Sequence, residues 1–283
     1  MAQIEEVHEP AKKVPRKKNV PTFVKYYLIL YNALSAIAWS YVLIGTLVHL
    51  FALDNWRSPS LLSTLSRKRS SIPYLSSAAP FLGFGSSRFT WIESKLPVAL
   101  VPVFRRATTT YARVGYQTAI IQSFAILEVV HALLGWVGSD PMTTLMQVAS
   151  RYMLVWGIAP QYTAAQTTPF YASMVLSWSI TEVIRYAHFA ITLLGYEPYV
   201  LLYLRYTTFY LLYPTGASSE AFCMYATLPS SGEPWSLYDI FRAVLFGIWW
   251  PGLYVMYMHM VKRRRKVLGG GKGRTLGAKP KSL

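Results

Sequence analysis

The sequence predicts an all-α membrane protein, a polytopic bundle of six transmembrane helices. Three observations carry that prediction. Apolar residues make up 53% of the chain and aromatic residues 15%, above the usual apolar share of soluble domains, and mean hydropathy is positive at +0.28. Long uncharged stretches recur between short polar connections. The formal charge of +16 sits mainly in two tails and one loop, outside those stretches. That distribution suits anionic lipid headgroups and topology signals better than a surface for reading nucleic acid, and no nucleic-acid partner is expected.

Residues 1–25 are polar, with Lys12, Lys13, Arg16, Lys17 and Lys18 ahead of the first apolar run, and read as a disordered cytosolic tail. The membrane domain is expected over 26–261. Tyr26 to Leu53 contains no Asp, Glu, Lys or Arg and exceeds the roughly 20 residues needed to cross a bilayer. It is too long for a signal-peptide core, so it reads as an uncleaved first span. A loose insertion follows at about 54–105, rich in Ser, Pro and Gly, with Arg67, Lys68 and Arg69 in its middle and an interfacial piece expected around Phe89 to Leu100.

The second span is expected over Val114 to Val137, with Glu128 and His131 on one helical face and able to meet. Met142 to Ala159 forms the third, with Arg151 inside. Tyr171 to Leu194 forms the fourth, with Glu182, Arg185 and His188 at three-residue steps, and Tyr199 to Tyr213 a short fifth with Arg205. A polar loop over 214–239, carrying Glu220, Glu233 and Asp239, leads to a sixth span from Ile240 to Val261 that contains Pro251. Lys262 to Lys266 stop it and open a basic cytosolic tail, 262–283. There is no internal repeat.

Six spans place both termini in the cytosol, which the positive-inside rule supports at each end. The basic residues of the 54–105 insertion oppose a luminal position for it, but its length approaches the limit at which charge stops governing translocation. Lys279 and Lys281 match a Lys-x-Lys-x-x retrieval pattern, which points to the endoplasmic reticulum.

Full charges within the spans need interior partners, because each costs a few kcal/mol at the bilayer centre. Glu182 and Arg185 can pair locally, whereas Arg151 and Arg205 need partners from other helices. Such charges either fix helix packing or line a polar cavity. The single cysteine, Cys223, excludes an intrachain disulfide and a zinc site of several thiolates, and neither metal nor cofactor is expected. A phosphatase Cys-x5-Arg loop would need arginine at position 229, which is Pro229.

The stretch L-R-Y-T-T-F-Y-L-L-Y-P-T-G-A-S-S-E, Leu204 to Glu220, supplies the lead pair, Tyr213 and Glu220. In an unbroken helix the two would stand roughly 10 Å apart along one face. Pro214 disfavours helical dihedrals at Tyr213, and Gly216 permits a positive-φ turn, so the chain is expected to fold back and bring them together. A phenol and a carboxylate so placed suit an acid/base elimination. The alternative is an interfacial belt tyrosine, a helix-ending proline and a solvated glutamate. Tyr199, Tyr203, Tyr206 and Tyr210 read as packing and anchoring.

Together L-E-V-V-H-A-L-L-G (127–135), Q-V-A-S-R (147–151), W-S-I-T-E-V-I-R-Y (178–186) and the stretch ending at Glu220 resemble the very-long-chain (3R)-3-hydroxyacyl-CoA dehydratases, also called protein tyrosine phosphatase-like proteins. The resemblance covers roughly 26–53 and 105–265. It implies a six-helix endoplasmic reticulum enzyme, a hydro-lyase that removes water from 3-hydroxyacyl-CoA to give trans-2-enoyl-CoA in the third step of fatty-acid elongation. It also implies membrane lipid, a condensing enzyme, a ketoacyl reductase and an enoyl reductase as partners.

The family's catalytic tyrosine and glutamate fall on Tyr213 and Glu220. Glu220 is expected to take the C2 proton and Tyr213 to protonate the leaving hydroxyl, or the roles are reversed, with the tyrosinate favoured by an arginine such as Arg205. Ser218, Ser219 or the amides of the turn would bind the enolate oxygen, and Arg151, Glu182 and Arg185 would orient the pair. With the 214–239 loop luminal and the substrate cytosolic, either the acyl chain threads into the bundle or the span boundaries shift. A small membrane carrier and a non-catalytic elongase scaffold are the rival readings.

Overall fold

The computed structural model describes residues 21–53, 94–196, 198–229, 232 and 234–268. Among them the chain is helical throughout, with no strand. The tail up to residue 20, most of the 54–105 insertion, Glu233 and the lysines at 279 and 281 lie outside the described residues.

Helix α1, Thr22–Leu50, starts one turn earlier than expected, directly after Pro21. Its polar residues stay in an apolar helix by bonding their own backbone: Asn32 donates to the Leu28 carbonyl at 2.6 Å, Ser40 to Ala36 at 2.8 Å and Thr46 to Val42 at 2.8 Å. After a 3₁₀ turn, Val98–Leu100, come α2, Val101–Ala107, α3, Thr110–Ser123, and α4, Ile126–Leu133. The expected second span is thus two helices. The carbonyls at the step between them are taken by phenols from elsewhere: Tyr31 donates to Phe124 at 3.2 Å and Tyr152 to Ser123 at 2.8 Å.

Helix α5, Pro141–Tyr152, begins with Asp140 accepting from the Thr143 amide at 2.8 Å and with proline at its first position. It runs into a π-helical stretch, Met153–Ile158, closed by the Ala159 amide on the Leu154 carbonyl at 2.8 Å. Short α6, Thr163–Thr167, precedes α7, Pro169–Leu193. Two helix ends are sealed by glycines with positive φ, Gly135 after α4 and Gly195 after α7. In each the following amide reaches back, Trp136 to His131 at 3.0 Å and Tyr196 to Ile191 at 3.2 Å.

The fifth span is the largest departure from expectation. Helix α8, Tyr199–Arg205, is followed by α9, Phe209–Tyr225, which runs straight through Pro214. No break occurs there, and 214–225 is helix rather than loop. The Thr215 hydroxyl donates to the Leu211 carbonyl at 2.8 Å, beside the gap that the missing proline amide leaves in the ladder. Gly216 is not a positive-φ hinge. It is a contact point, where an added Cβ would lie 3.1 Å from Ser177 Cβ. Helix α10, Leu237–Leu268, completes the chain and contains Pro251.

Two of these helices, residues 22–50 and 237–265, are long and apolar enough to cross a membrane. Helix α7 is the axis of the fold, packed along α1 and along α9. Its Tyr171, Met174, Val175, Trp178 and Tyr186 join Trp39, Val42, Val114, Leu154 and Met224 in the main core. Helices α7 and α9 run antiparallel: Phe170 stacks on Phe222 with centroids 4.7 Å apart, Ser177 meets Thr215 at 3.0 Å, and Arg205, just before α9, lies over Phe189. α10 runs antiparallel to α9, pairing Trp250 with Phe222 and Tyr257 with Phe209.

Candidate active site

Glu220 projects from α9 towards α7, where the Trp178 indole N–H donates to its Oε1 at 2.6 Å. The contact exists because Gly216 and Ser177 bring the two helices together one turn away. Trp178 is almost fully buried, and its ring also carries the Arg151 guanidinium, 5.0 Å from the centroid. Arg151 lies close enough for its charge to act on both Glu220 and Tyr213.

Tyr213 lies two turns before Glu220 in the same helix. Seven residues turn an α-helix through nearly two full revolutions, so the two side chains share one stripe. They are not folded onto each other as the sequence suggested. About 10 Å of axial rise separates their Cα atoms, and Glu220, tilted towards the helix N-terminus, leans back along that gap. The Glu220 carboxylate is close enough to act electrostatically on Tyr213.

Arg151 pairs with Glu182 of α7, so its expected partner does come from another helix. Arg185 donates Nε to Glu182 at 2.6 Å and clasps Glu128 with two nitrogens at 2.7 Å each. The Tyr186 hydroxyl also bonds Glu128. The expected contact of Glu128 with His131 does not form. A two-pronged guanidinium outcompetes a single imidazole for that carboxylate, and His131 meets the Tyr27 hydroxyl at 3.0 Å instead. One connected path therefore runs Glu220, Trp178, Arg151, Glu182, Arg185, Glu128, Tyr186 through four helices.

Ser218 and Ser219 stand about 200° and 100° around α9 from Glu220, and Ser219 is buried. Their amides lie inside a helix, where the i to i−4 ladder uses them, so the expected turn of free amides for an oxyanion is absent. Arg205 sits apart from Glu220, its guanidinium 4.2 Å from the Phe189 ring centroid. Among the described residues no group of three His, Cys, Asp or Glu side chains gathers as metal ligands would.

Sequence reasoning missed Trp178 and Tyr186. Both lie in the segment 178–186, but nothing in one dimension connects an indole with a carboxylate 42 positions away.

Residues 122–270 match the family model described as "Protein tyrosine phosphatase-like protein, PTPLA". The chain belongs to this family. Among relatives of the PTPLA-matching chain, the probable very-long-chain (3R)-3-hydroxyacyl-CoA dehydratase of Schizosaccharomyces pombe is 39% identical over 183 residues, 64% of this chain and 88% of that protein. The very-long-chain (3R)-3-hydroxyacyl-CoA dehydratase hpo-8 of Caenorhabditis elegans is 41% identical over 175 residues, covering 57% and 80%. PASTICCINO 2 of Arabidopsis thaliana, a very-long-chain (3R)-3-hydroxyacyl-CoA dehydratase, is 36% identical over 189 residues, covering 59% and 86%. No solved structure matches. The family match takes in Glu128, Arg151, Trp178, Glu182, Arg185, Tyr186 and Glu220, every residue of that path, and Tyr213 as well.

Proposed function

We propose that this protein is a hydro-lyase that converts a very-long-chain 3-hydroxyacyl-CoA into the trans-2-enoyl-CoA, with Glu220 and Tyr213 as its catalytic residues. The observation that carries the assignment is the Glu220 carboxylate, held at one oxygen by Trp178 with Arg151 beside it, on the stripe it shares with Tyr213. The names of the relatives supply the substrate class.

In the reaction Glu220 takes the C2 proton, the C2–H electrons form the C2=C3 bond, and the C3–O bond breaks. Tyr213 gives its proton to the departing hydroxyl, which leaves as water. Proton return from Glu220 to the tyrosinate resets the site. Glu220 acts in its carboxylate form and Tyr213 as a neutral phenol. Their two-turn separation suits a substrate lying along α9, with C2 near the glutamate and the hydroxyl towards the tyrosine. Arg151, rather than Ser218, Ser219 or a turn amide, supplies positive charge for the enolate oxygen. Glu182 orients Arg151, and Arg185 with Glu128 holds Glu182.

In a membrane the chain crosses six times, by α1, α3 with α4, α5 with its π stretch, α7, α8 with α9, and α10. Lys25 at the start of α1 and Arg263, Arg264 and Arg265 at the end of α10 then share the cytosolic face. Tyr213 lies nearer that face than Glu220, so cytosolic acyl-CoA enters from the side where its reacting carbons are needed. We place the protein in the endoplasmic reticulum, with both termini cytosolic, beside the condensing, ketoacyl-reducing and enoyl-reducing enzymes of elongation.

The test is dehydration of defined 3-hydroxyacyl-CoAs by purified protein. Tyr213→Phe and Glu220→Gln, each folded, should lower turnover at least ~100-fold. Near-normal turnover in both variants overturns the assignment, and a scaffold role predicts that result.

A further inference from the structure

Arg151 and Arg185 on the path from Glu220, and Arg205 at the basic end of the bundle, are three half-buried arginines that are not treated alike. Arg151 and Arg185 each have carboxylate partners. Arg205 has none among the described residues. It lies against the rings of Phe189 and Tyr206, and its charged neighbours are cations, Arg185 and Arg263. Its Nη1 is buried without a hydrogen-bond partner.

Other unsatisfied groups share this end of the bundle. His188 Nδ1, in α7 and close to Arg205, Thr207 Oγ1 in the link between α8 and α9, and Arg264 Nε in α10 are all buried without partners. Arg264 lies 5.3 Å from the centroid of the Tyr210 ring, which brings the end of α10 over the start of α9. Three helices and a link thus carry unsatisfied polar groups and positive charge to the same end of the bundle. Buried polar groups are normally satisfied, and a buried arginine whose charged neighbours are cations lacks a counter-ion.

We propose that Arg205, with His188, Thr207, Arg263 and Arg264, binds the phosphates of the substrate's 3′-phospho-ADP group. The assignment rests on the dehydratase reading and fixes the direction in which the substrate lies. Along the unbroken α7, Phe189 beneath Arg205 and Trp178 at Glu220 are separated by roughly 16 Å of helical rise. An extended pantetheine arm bridges a gap of that order, from nucleotide at the mouth to thioester inside. A planar guanidinium fork suits phosphate oxygens, and the surrounding lysine and arginines at 262–265 draw the anion in. The phosphates of an anionic lipid headgroup share this chemistry, so the experiment must separate the two sources.

The full chain is placed in nanodiscs of zwitterionic lipid, and binding of adenosine 3′,5′-bisphosphate is measured calorimetrically, with no chemistry involved. Wild type and Glu220→Gln should bind alike. Arg205→Gln should bind about ten- to a hundredfold more weakly, Arg205→Lys should fall between, and Arg263→Gln, at an exposed position, should lose a few-fold. In turnover, Arg205→Gln should raise KM for 3-hydroxyacyl-CoA about tenfold or more while moving KM for the matching 3-hydroxyacyl-pantetheine less than twofold.

Equal KM changes for both thioesters, or nucleotide binding indifferent to Arg205→Gln, overturn the site. So does a requirement of Arg205 for phosphatidylserine binding but not for nucleotide binding. If Arg205→Gln fails to fold, Arg205→Lys and Arg263→Gln decide the matter by the same measurements. Arg205-dependent nucleotide binding in a wild-type protein that dehydrates neither thioester would sink the dehydratase reading and leave the phosphate site standing.

Discussion

Trp178 and Glu220, on antiparallel helices and 42 positions apart, are joined by an indole N–H that donates to a carboxylate oxygen at 2.6 Å. The bond fixes the rotamer of the glutamate and leaves its second oxygen free to act. Trp178→Phe keeps the ring and removes the donor. It should lower kcat about ten- to a hundredfold, with KM for 3-hydroxyacyl-CoA little changed. Steady-state kinetics on the purified variant check this, and an unchanged kcat would show the bond to be packing alone.

Gly216 sets how closely α7 and α9 approach. Its missing Cβ would sit 3.1 Å from that of Ser177, and neither atom can swing away, because each is tied directly to a helix backbone. Gly216→Val should therefore destabilise the protein by about 1–3 kcal/mol and reduce turnover as Trp178 and Glu220 part. Combining it with Ser177→Gly should recover part of the stability, a coupling readable from thermal unfolding in a double-mutant cycle.

Glu182 is the shared acid of two guanidiniums and only 2% exposed. Glu182→Gln leaves Arg151 without its ion-pair partner and Arg185 with Glu128 alone, and should cost about 3–5 kcal/mol. Replacing Arg151 and Glu182 together by methionine should be less damaging to stability than Glu182→Gln alone, while still abolishing activity. Unfolding midpoints in detergent separate the two effects.

Pro214 offers a test of how Tyr213 is positioned. If a break at the proline placed the tyrosine, Pro214→Ala would abolish turnover. Because α9 is already continuous, the alanine variant should keep turnover within a few-fold. Its unfolding temperature should be equal or higher, since proline is roughly 3 kcal/mol less favourable than alanine inside a helix.

Between α4 and α5, Asp140 caps α5. Hydrogen bonds from the Thr143 amide, and then from its hydroxyl, hold the Asp140 carboxyl below its ordinary value. A depressed folded value means that the cap stabilises the protein above the ordinary carboxylate range and loses that effect as pH falls through the lowered value. Asp140→Ala should lower the unfolding temperature at neutral pH and flatten its acid dependence in that window.

The helical class and the need of Arg151 for a partner on another helix were legible in the sequence, because charge-free runs and isolated intramembrane charges carry their own physical constraint. The pairing of Glu182 with Arg185 followed from a three-residue step. The course of the chain at Pro214 was not legible. Local rules there predict a stop, but the Thr215 hydroxyl and the close fit of Gly216 on Ser177 outweigh the missing amide. The choice of Glu128 between His131 and Arg185 was also closed to sequence reasoning, since it depends on how α4 and α7 face each other.

Helix α7 alone provides Ser177, Trp178, Glu182, Arg185 and Tyr186, so each of its neighbours meets the site through the spacing of that one rod. Substitutions on its outer side leave the geometry intact. An inserted or deleted residue between 177 and 186 would swing one half of those groups about 100° away from the other. The helix can therefore drift in composition on that outer side but not in length.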